Sequence, residues 1–342
     1  MASSTSLLAS PLAIRVPFRK SAPDVTLRYL TPDEYSAWDA MVEASPQGSI
    51  FCRTWWLEAT CAEIKVLGYF EKGRLVAGIP LHFERRVGFR MCTMPKLTQT
   101  WGVVIEPLAG KPVHVLSREM EILDKLAAYL INEKIFVQSF HPSLQNWLPF
   151  YWQGFEQTTL FTYVLDNLTH FDRLWMGMAE NTRREIRKAQ KKGVVVGTCD
   201  CHAVFEAVTK TFDRQSIKRP YSREYFMKLW SAATKNGAGE CFAAGSEGEV
   251  HAAAFLVWDH KRSYYLAGGG DPGLRNSGAT SLLLWHLIQV SAERSCSFDF
   301  EGSVKRPIER FFRSFGAKQV PYSQITRLPM WAKVALGFRR TR

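Results

Sequence analysis

Six cations fall within ten residues of this chain, Arg183-Arg184-Glu185-Ile186-Arg187-Lys188-Ala189-Gln190-Lys191-Lys192, and side chains of that type at that density recognise phosphate and other anions. Written as a helix, Arg183, Arg187 and Lys191 line up at i, i+4 and i+8, with Arg184, Lys188 and Lys192 in the stripe beside them. Ile186 and Ala189 are left to face a core. The same pattern also describes a solvated helix that stops at Gly193. A second anion device lies in Asp271-Pro272-Gly273-Leu274-Arg275-Asn276-Ser277-Gly278-Ala279-Thr280, a loop that opens a helix directly after a strand. Free backbone N–H groups and the positive end of the helix dipole would point at its contents, which suits a phosphate or diphosphate. Gly269, Gly270, Arg275, Gly278 and Thr280 are the candidates there, although such loops also serve as plain connectors. A third feature is Phe298-Asp299-Phe300-Glu301: alternation along a strand places both carboxylates on one face, close to Arg306 and Arg310.

The elements that must hold these groups read clearly in the C-terminal half. Helices are expected at Ala203 to Ser216 and Ser222 to Lys235, then a meander of strands at Cys241–Gly245, Val250–Trp258 and Ser263–Gly268. A helix from Ala279 to Ala292, a strand at Ser297–Phe300, a helix from Lys305 to Ser314 and a strand near Val320–Thr326 complete it. Tight hairpins followed by strand–helix–strand crossovers give an α/β fold with a mixed sheet and helices on its faces. The N-terminal half repeats this more weakly, with a hairpin from Ile64 to Leu81, an irregular stretch from Arg85 to Trp101, and a helix over Val115–Asn132 before two strands. The resulting division is a leader at 1–24, domains at 25–165 and 166–327, and a basic amphipathic tail at 328–342.

Composition narrows the function classes. A chain of 342 residues with 46% hydrophobic content builds sizeable cores, and no apolar run approaches the length that crosses a bilayer. The first 23 residues lack acidic side chains and are rich in Ser and Ala, but Ser10, Pro11 and Arg15 interrupt their apolar part, so they read as a disordered leader. Seven scattered cysteines point to a reducing, cytoplasmic compartment, and Cys199-Asp200-Cys201-His202 reads as a loop with incidental cysteines rather than a metal site. The net charge of +12 implies anionic company. Specific DNA binding is not expected, since there is no helix-turn-helix signature. Trp55, Trp56 and Trp101 are expected in the core, with a cleft lining as the alternative.

Asn181-Thr182-Arg183-Arg184-Glu185-Ile186-Arg187-Lys188-Ala189 through Gly193-Val194, the strand-end Asp299-Phe300-Glu301-Gly302-Ser303 and the helix-closing Phe311-Phe312-Arg313-Ser314-Phe315-Gly316 occur in a fixed order. Together they resemble the FemAB-like and CelD/BcsL-like acyltransferases of the GNAT superfamily, over roughly Phe171 to Arg327. The resemblance implies tandem GNAT-like acyl-CoA N-acyltransferase domains, the second better matched. It implies transfer of an acyl, acetyl-type group to an amine, with acyl-CoA as co-substrate and no permanently bound cofactor. An aminoacyl-tRNA donor acting on a peptidoglycan precursor is the enzymatic alternative, and an inactive GNAT-like module that binds nucleic acid is the other.

On this reading Arg275, Gly278 and Thr280 stand at the donor-phosphate signature, with Thr280 where glycine or alanine is usual. Asp299 and Glu301 would orient the amine or relay its proton, and the end of the Ser263–Gly268 strand would supply oxyanion donors. Phe312 takes the place of a lysine that looks catalytic in the aminoacyltransferases. Arg313 is the substitute charge, although one residue on it points about 100° away. Tyr265 is the candidate general acid, with Tyr264 and Tyr322 as further tyrosines to consider. Arg183, Arg187 and Lys191 would meet the phosphates of a nucleotide- or lipid-linked sugar acceptor, as in a cell-envelope or polysaccharide precursor. Aromatics and cations after Leu328 suit peripheral contact at the inner face of a membrane.

Overall fold

The computed structural model describes residues 24–86, 88–302 and 305–335. The leader through residue 23, Ser303 of the strand-end motif and the tail from residue 336 lie outside them. The first half runs β1 (Val25–Tyr29), α1 (Tyr35–Ala44), α2 (Thr54–Thr60), β2 (Val66–Glu71), β3 (Arg74–Pro80), β4 (His82–Arg86), β5 (Phe89–Thr93) and β6 (Val104–Ile105). It closes with α3 (Pro112–Leu130), β7 (Phe136–Ser139), α4 (Leu148–Trp152) and β8 (Glu156–Leu165). The second half opens with α5 (Phe171–Gly177), α6 (Glu180–Lys191), β9 (Val195–Thr198), α7 (Cys201–Arg214) and α8 (Arg223–Lys235). Next come β10 (Gly239–Ser246), β11 (Glu249–Trp258), β12 (Arg262–Gly270), α9 (Ala279–Ser291), β13 (Ser297–Asp299), α10 (Arg306–Arg313), β14 (Lys318–Arg327) and α11 (Met330–Ala335).

The expected mixed sheet is present and larger than one half. Ten strands join in the order β4-β5-β7-β14-β8-β13-β12-β11-β10-β9, while β1, β2, β3 and β6 form a separate four-stranded sheet. The last long strand, β14, inserts between β7 and β8 of the first half, pairing antiparallel with β8 from Lys318↔Val164 to Thr326↔Glu156. Through β8, which also pairs with β13, one half braces the other. The stretch from Arg85, expected to be irregular, instead begins inside the β4–β5 hairpin. Its cations hid the strand pattern: the Arg90 guanidinium lies 4.0 Å over the Phe83 ring, so an arginine there covers apolar surface.

Alternation along β11 separates two cores. Ala253, Phe255 and Val257 face α7, α8 and the first half, whereas Ala252, Ala254 and Leu256 face α9. Trp56 and Trp101 are fully buried in the first core, where the Trp101 indole donates to the Phe51 carbonyl at 2.7 Å. The cysteine-bearing stretch opens α7, with the Asp200 carboxylate capping the Ala203 N–H at 2.9 Å. Lys261, in the turn before β12, ties the halves by donating to the Val42, Ser45 and Gly48 carbonyls. α11 rests on the β4–β5 hairpin, its Trp331 ring 4.3 Å from that of Phe89. No helix among the described residues is long and apolar enough to cross a membrane.

Candidate active site

The large sheet splits where the expected motifs meet. Parallel pairing of β12 with β13 covers only Arg262↔Ser297, Ser263↔Phe298 and Tyr264↔Asp299. Opposite β11 the register then slips, Leu256 facing Tyr265 and Phe255 facing Ala267, which makes Leu266 an extra, bulged residue. β13 ends at Asp299 while β12 continues to Gly270, so among the described residues the β12 edge beyond Tyr264 has no strand beside it. A cavity of about 660 Å³ fills this gap and is lined both by Val208 and Phe212 of α7 and by Phe311 and Phe312 of α10. Because α7 and α10 lie on opposite faces of the sheet, the cavity passes through it. A second hollow of about 530 Å³ adjoins it and shares Arg275, Thr280, Pro307 and Phe311.

Glycine builds both ends of the anion device. Gly278 caps α9 with φ +81°, and a Cβ there would fall 2.3 Å from the Glu185 carbonyl oxygen of α6. Only glycine allows α6 to lie that close to the start of a 13-residue helix whose first turn, through Gly278, Thr280 and Ser281, lines the second hollow. Arg275, Arg310 and Asn181 line the same hollow. Gly269 does a different job from the one its loop position suggests: a Cβ there would lie 2.2 Å from the Ala207 carbonyl oxygen, so its bareness lets α7 pack on β12. The neighbouring Gly270 N–H donates to Thr211 Oγ1 of α7 at 3.2 Å. Gly269→Ala should therefore force α7 off the strand and cost about 1–3 kcal/mol, read as a lowered melting temperature. Gly269, Gly270, Arg275 and Thr280 all line the large cavity, and Gly278 the adjoining one.

The two carboxylates do not form the alternating strand pair that their spacing predicts. The strand stops at Asp299, and Glu301 turns into the left-handed region with φ +59°. Asp299 is 1% exposed and pairs with Arg262 at 3.3 Å, rather than with Arg306 or Arg310. It also accepts from the Thr162 hydroxyl and, at 2.7 Å, from the Glu301 N–H, so it fixes the turn that aims Glu301. Thr162 in turn accepts from Gln99 of the first half at 3.1 Å. Glu301 lines the cavity, and its Oε1 is enclosed with no hydrogen-bond partner among the described residues. Burial, then the charge of Asp299, hold its carboxyl well above the usual range. Burial also raises Asp299, against the opposing pull of Arg262.

Tyr265 lines the cavity with its ring edge-on to Phe312 at 6.0 Å, and its hydroxyl occupies the space that a side chain at position 268 would take. Burial keeps that hydroxyl protonated. Tyr264 is instead packed in the first core against Phe51, and Tyr322 does not line the cavity, although the charge of Glu301 reaches it. Tyr221, which no sequence signal singles out, also lines the cavity and is pushed up to about 12, by burial first. It sits between α7 and α8, where no periodicity marks an inward side chain; the cap at Ser222 is the nearest signal.

Two sets of expected charges lie elsewhere. Arg313 projects to solvent and pairs with Glu309 at 2.7 Å, because Phe312 takes the inward position one residue earlier. Arg183, Arg187 and Lys191 line neither hollow. As expected, Ile186 and Ala189 are buried, but Thr182 joins them and sets the rotation of α6 so that Asn181 and Glu185 face the hollow. Arg187 lies 5.4 Å over the Trp175 ring and Arg183 against Met176, on the far side. Besides Arg275, the exposed cations that border the large cavity among the described residues are Lys96, from the first half, Arg214 and Lys305.

A split mixed sheet, a bulge on the longer strand and a glycine-capped helix at its end define a known architecture. Residues 177–311 match the acetyltransferase (GNAT) domain. The whole chain has a tandem GNAT fold. It superposes on FemX with a TM-score of 0.68 at 14% identity, covering 91% of this chain and 99% of that one. A tandem GNAT protein from the clavulanic acid biosynthesis pathway superposes with a TM-score of 0.51 at 11% identity, covering 89% and 98% of the two chains. Comparison with curated protein sequences gives no match. The GNAT match spans the split, the glycine-capped helix and Glu301, and leaves β14 outside.

Proposed function

We propose that this protein is an N-acyltransferase that moves an acyl group from acyl-CoA to an amine on a phosphate-bearing acceptor, of the kind used in cell-envelope or polysaccharide synthesis. The observation that carries the reading is the cavity through the split sheet, with the α9 N-terminus at one end and the enclosed Glu301 carboxyl on its wall. The donor diphosphate would lie on the N–H groups of Gly278 and Thr280, between Arg275 and Arg310, the Ala279 N–H being held by the Ser277 hydroxyl at 3.3 Å. The pantetheine arm would take the missing strand position beside β12, whose open edge around the Leu266 bulge offers N–H groups to the thioester carbonyl. The acceptor would enter from the α7 side, past Lys96, Arg214 and Lys305, which take over the role expected of Arg183, Arg187 and Lys191.

In this scheme the amine nitrogen attacks the thioester carbon, and Glu301 removes the ammonium proton that would otherwise block the lone pair. The C–N bond forms and the C–S bond breaks; the leaving thiolate takes a proton from Tyr265, the second proton of the attacking nitrogen returns to the Tyr265 oxygen, and the one proton left over stays on Glu301 until it is released to solvent. Asp299 positions Glu301 rather than touching substrate. Arg275→Ala should weaken CoA binding by about 10- to 100-fold, the size of one charge-assisted hydrogen bond, without altering the far-ultraviolet circular dichroism. Thermal stabilisation by CoA tests the reading, and its absence at millimolar ligand would sink it. The likeness to FemX keeps aminoacyl-tRNA as a second donor class. Stabilisation by aminoacyl-tRNA and not by CoA would favour it.

A further inference from the structure

We infer that the acyl group this protein transfers is an apolar chain longer than acetyl, and that Phe312 forms the wall that selects it. The inference rests on the donor reading above and adds the class of acyl group. The cavity of about 660 Å³ lies in the range that encloses a whole drug-sized ligand, so it has room for an acyl chain beside the pantetheine arm and the acceptor amine. Its walls near the split are carbon on both faces of the sheet. Val208, Phe212 and Leu266 line it on the α7 side, and Phe300, Ile308 and Phe312 on the α10 side. An aromatic surface runs from Tyr265 across Phe312 to Phe300, with ring centroids 6.0 and 5.3 Å apart.

Apart from the Tyr265 hydroxyl and the Glu301 carboxyl, which mark the reacting end, the side chains of this wall are apolar. Arg275 and Thr280 stand where the diphosphate would lie, and Lys96, Arg214 and Lys305 are exposed cations along the rest of the cavity border. A pantetheine arm carries amides that need hydrogen-bond partners, and these six side chains provide none. A hydrocarbon chain needs none and gains from each contact, by roughly fourfold in affinity per buried methylene. Phe312 is the natural selector because it is 6% exposed, touches both neighbouring aromatic rings and sits on α10 with its side chain inward.

The test is a binding series with free CoA, acetyl-CoA, hexanoyl-CoA and decanoyl-CoA on the full chain, followed by titration calorimetry. Hexanoyl-CoA should bind on the order of 100-fold more tightly than acetyl-CoA in the wild type. Phe312→Lys should abolish that preference while leaving free CoA affinity within about twofold, and Phe312→Leu should retain most of it. Equal affinity for acetyl-CoA and hexanoyl-CoA, with free CoA still bound, would overturn the inference and leave the donor reading intact. Failure of every CoA species to bind would overturn both. Should Phe312→Lys not fold, the wild-type series still decides the chain-length claim and Phe312→Leu, Phe312→Ala and Phe312→Met decide the role of the wall: an unchanged preference in all three would remove Phe312 from it.

Discussion

Glu301→Gln should lower kcat by about two to four orders of magnitude, the usual contribution of a positioned general base, while leaving the affinity for CoA unchanged. Gln keeps the shape and removes only the proton-accepting charge. The acid limb of the wild-type rate profile should fall well above the normal carboxylate range, because burial and Asp299 both disfavour the ionised form of Glu301. Asp299 and Glu301 are coupled, so the limb reports the pair. The same shift has a stability consequence of definite sign. Between the unfolded and folded pKa values the native state holds more protons than the unfolded one, so this group's contribution is complete below the unfolded value and is lost as pH rises through the folded value. Glu301→Gln should therefore raise the melting temperature at neutral pH and lose that advantage near pH 4, a comparison that scanning calorimetry makes directly. A variant that is slower yet more stable is the signature of a carboxyl kept for chemistry; one that is slower and less stable at neutral pH would mark Glu301 as structural.

Asp299→Ala should be the most damaging single change in the second half. It leaves Arg262 without its buried ion-pair partner and removes the acceptor for both the Thr162 hydroxyl and the Glu301 N–H. Breaking one side of such a pair costs about 3 kcal/mol or more, enough to lower the urea midpoint clearly. Asp299→Asn retains an acceptor oxygen for the Glu301 N–H and should recover part of the activity at a given stability. Equal losses for Asn and Ala after correction for the folded fraction would contradict a positioning role.

These results depend on features that sequence exposes unevenly. The β10–β11–β12 meander and α9 follow from two- and 3.6-residue periods, and the glycine-capped loop is read from Gly278 standing before an apolar helix. Pairing of β8 with β14 joins residues more than 150 positions apart, and nothing local in either strand names its partner. Glu301 misleads because a glutamate with positive φ is uncommon, and the alternating Phe-Asp-Phe-Glu reads as strand throughout. The placement of the basic stripe outside both hollows has a related reason. Six cations identify a helix surface, but the rotation of α6 is set by Thr182, Ile186 and Ala189, and the buried polar Thr182 is silent in a hydrophobic pattern. Arg313 is displaced by one inward phenylalanine, which only the packing of Phe312 on Phe300 and Tyr265 makes evident.

The central claim is that donor and acceptor meet in the split between β12 and β13. A crystal structure of the full chain with CoA tests it most directly. The account predicts the diphosphate on the N–H groups of Gly278 and Thr280, beside Arg275, and the pantetheine arm along the open edge of β12 with its thiol near Glu301. CoA bound instead along the outward Arg183, Arg187 and Lys191 stripe, with the split left to solvent, would contradict it.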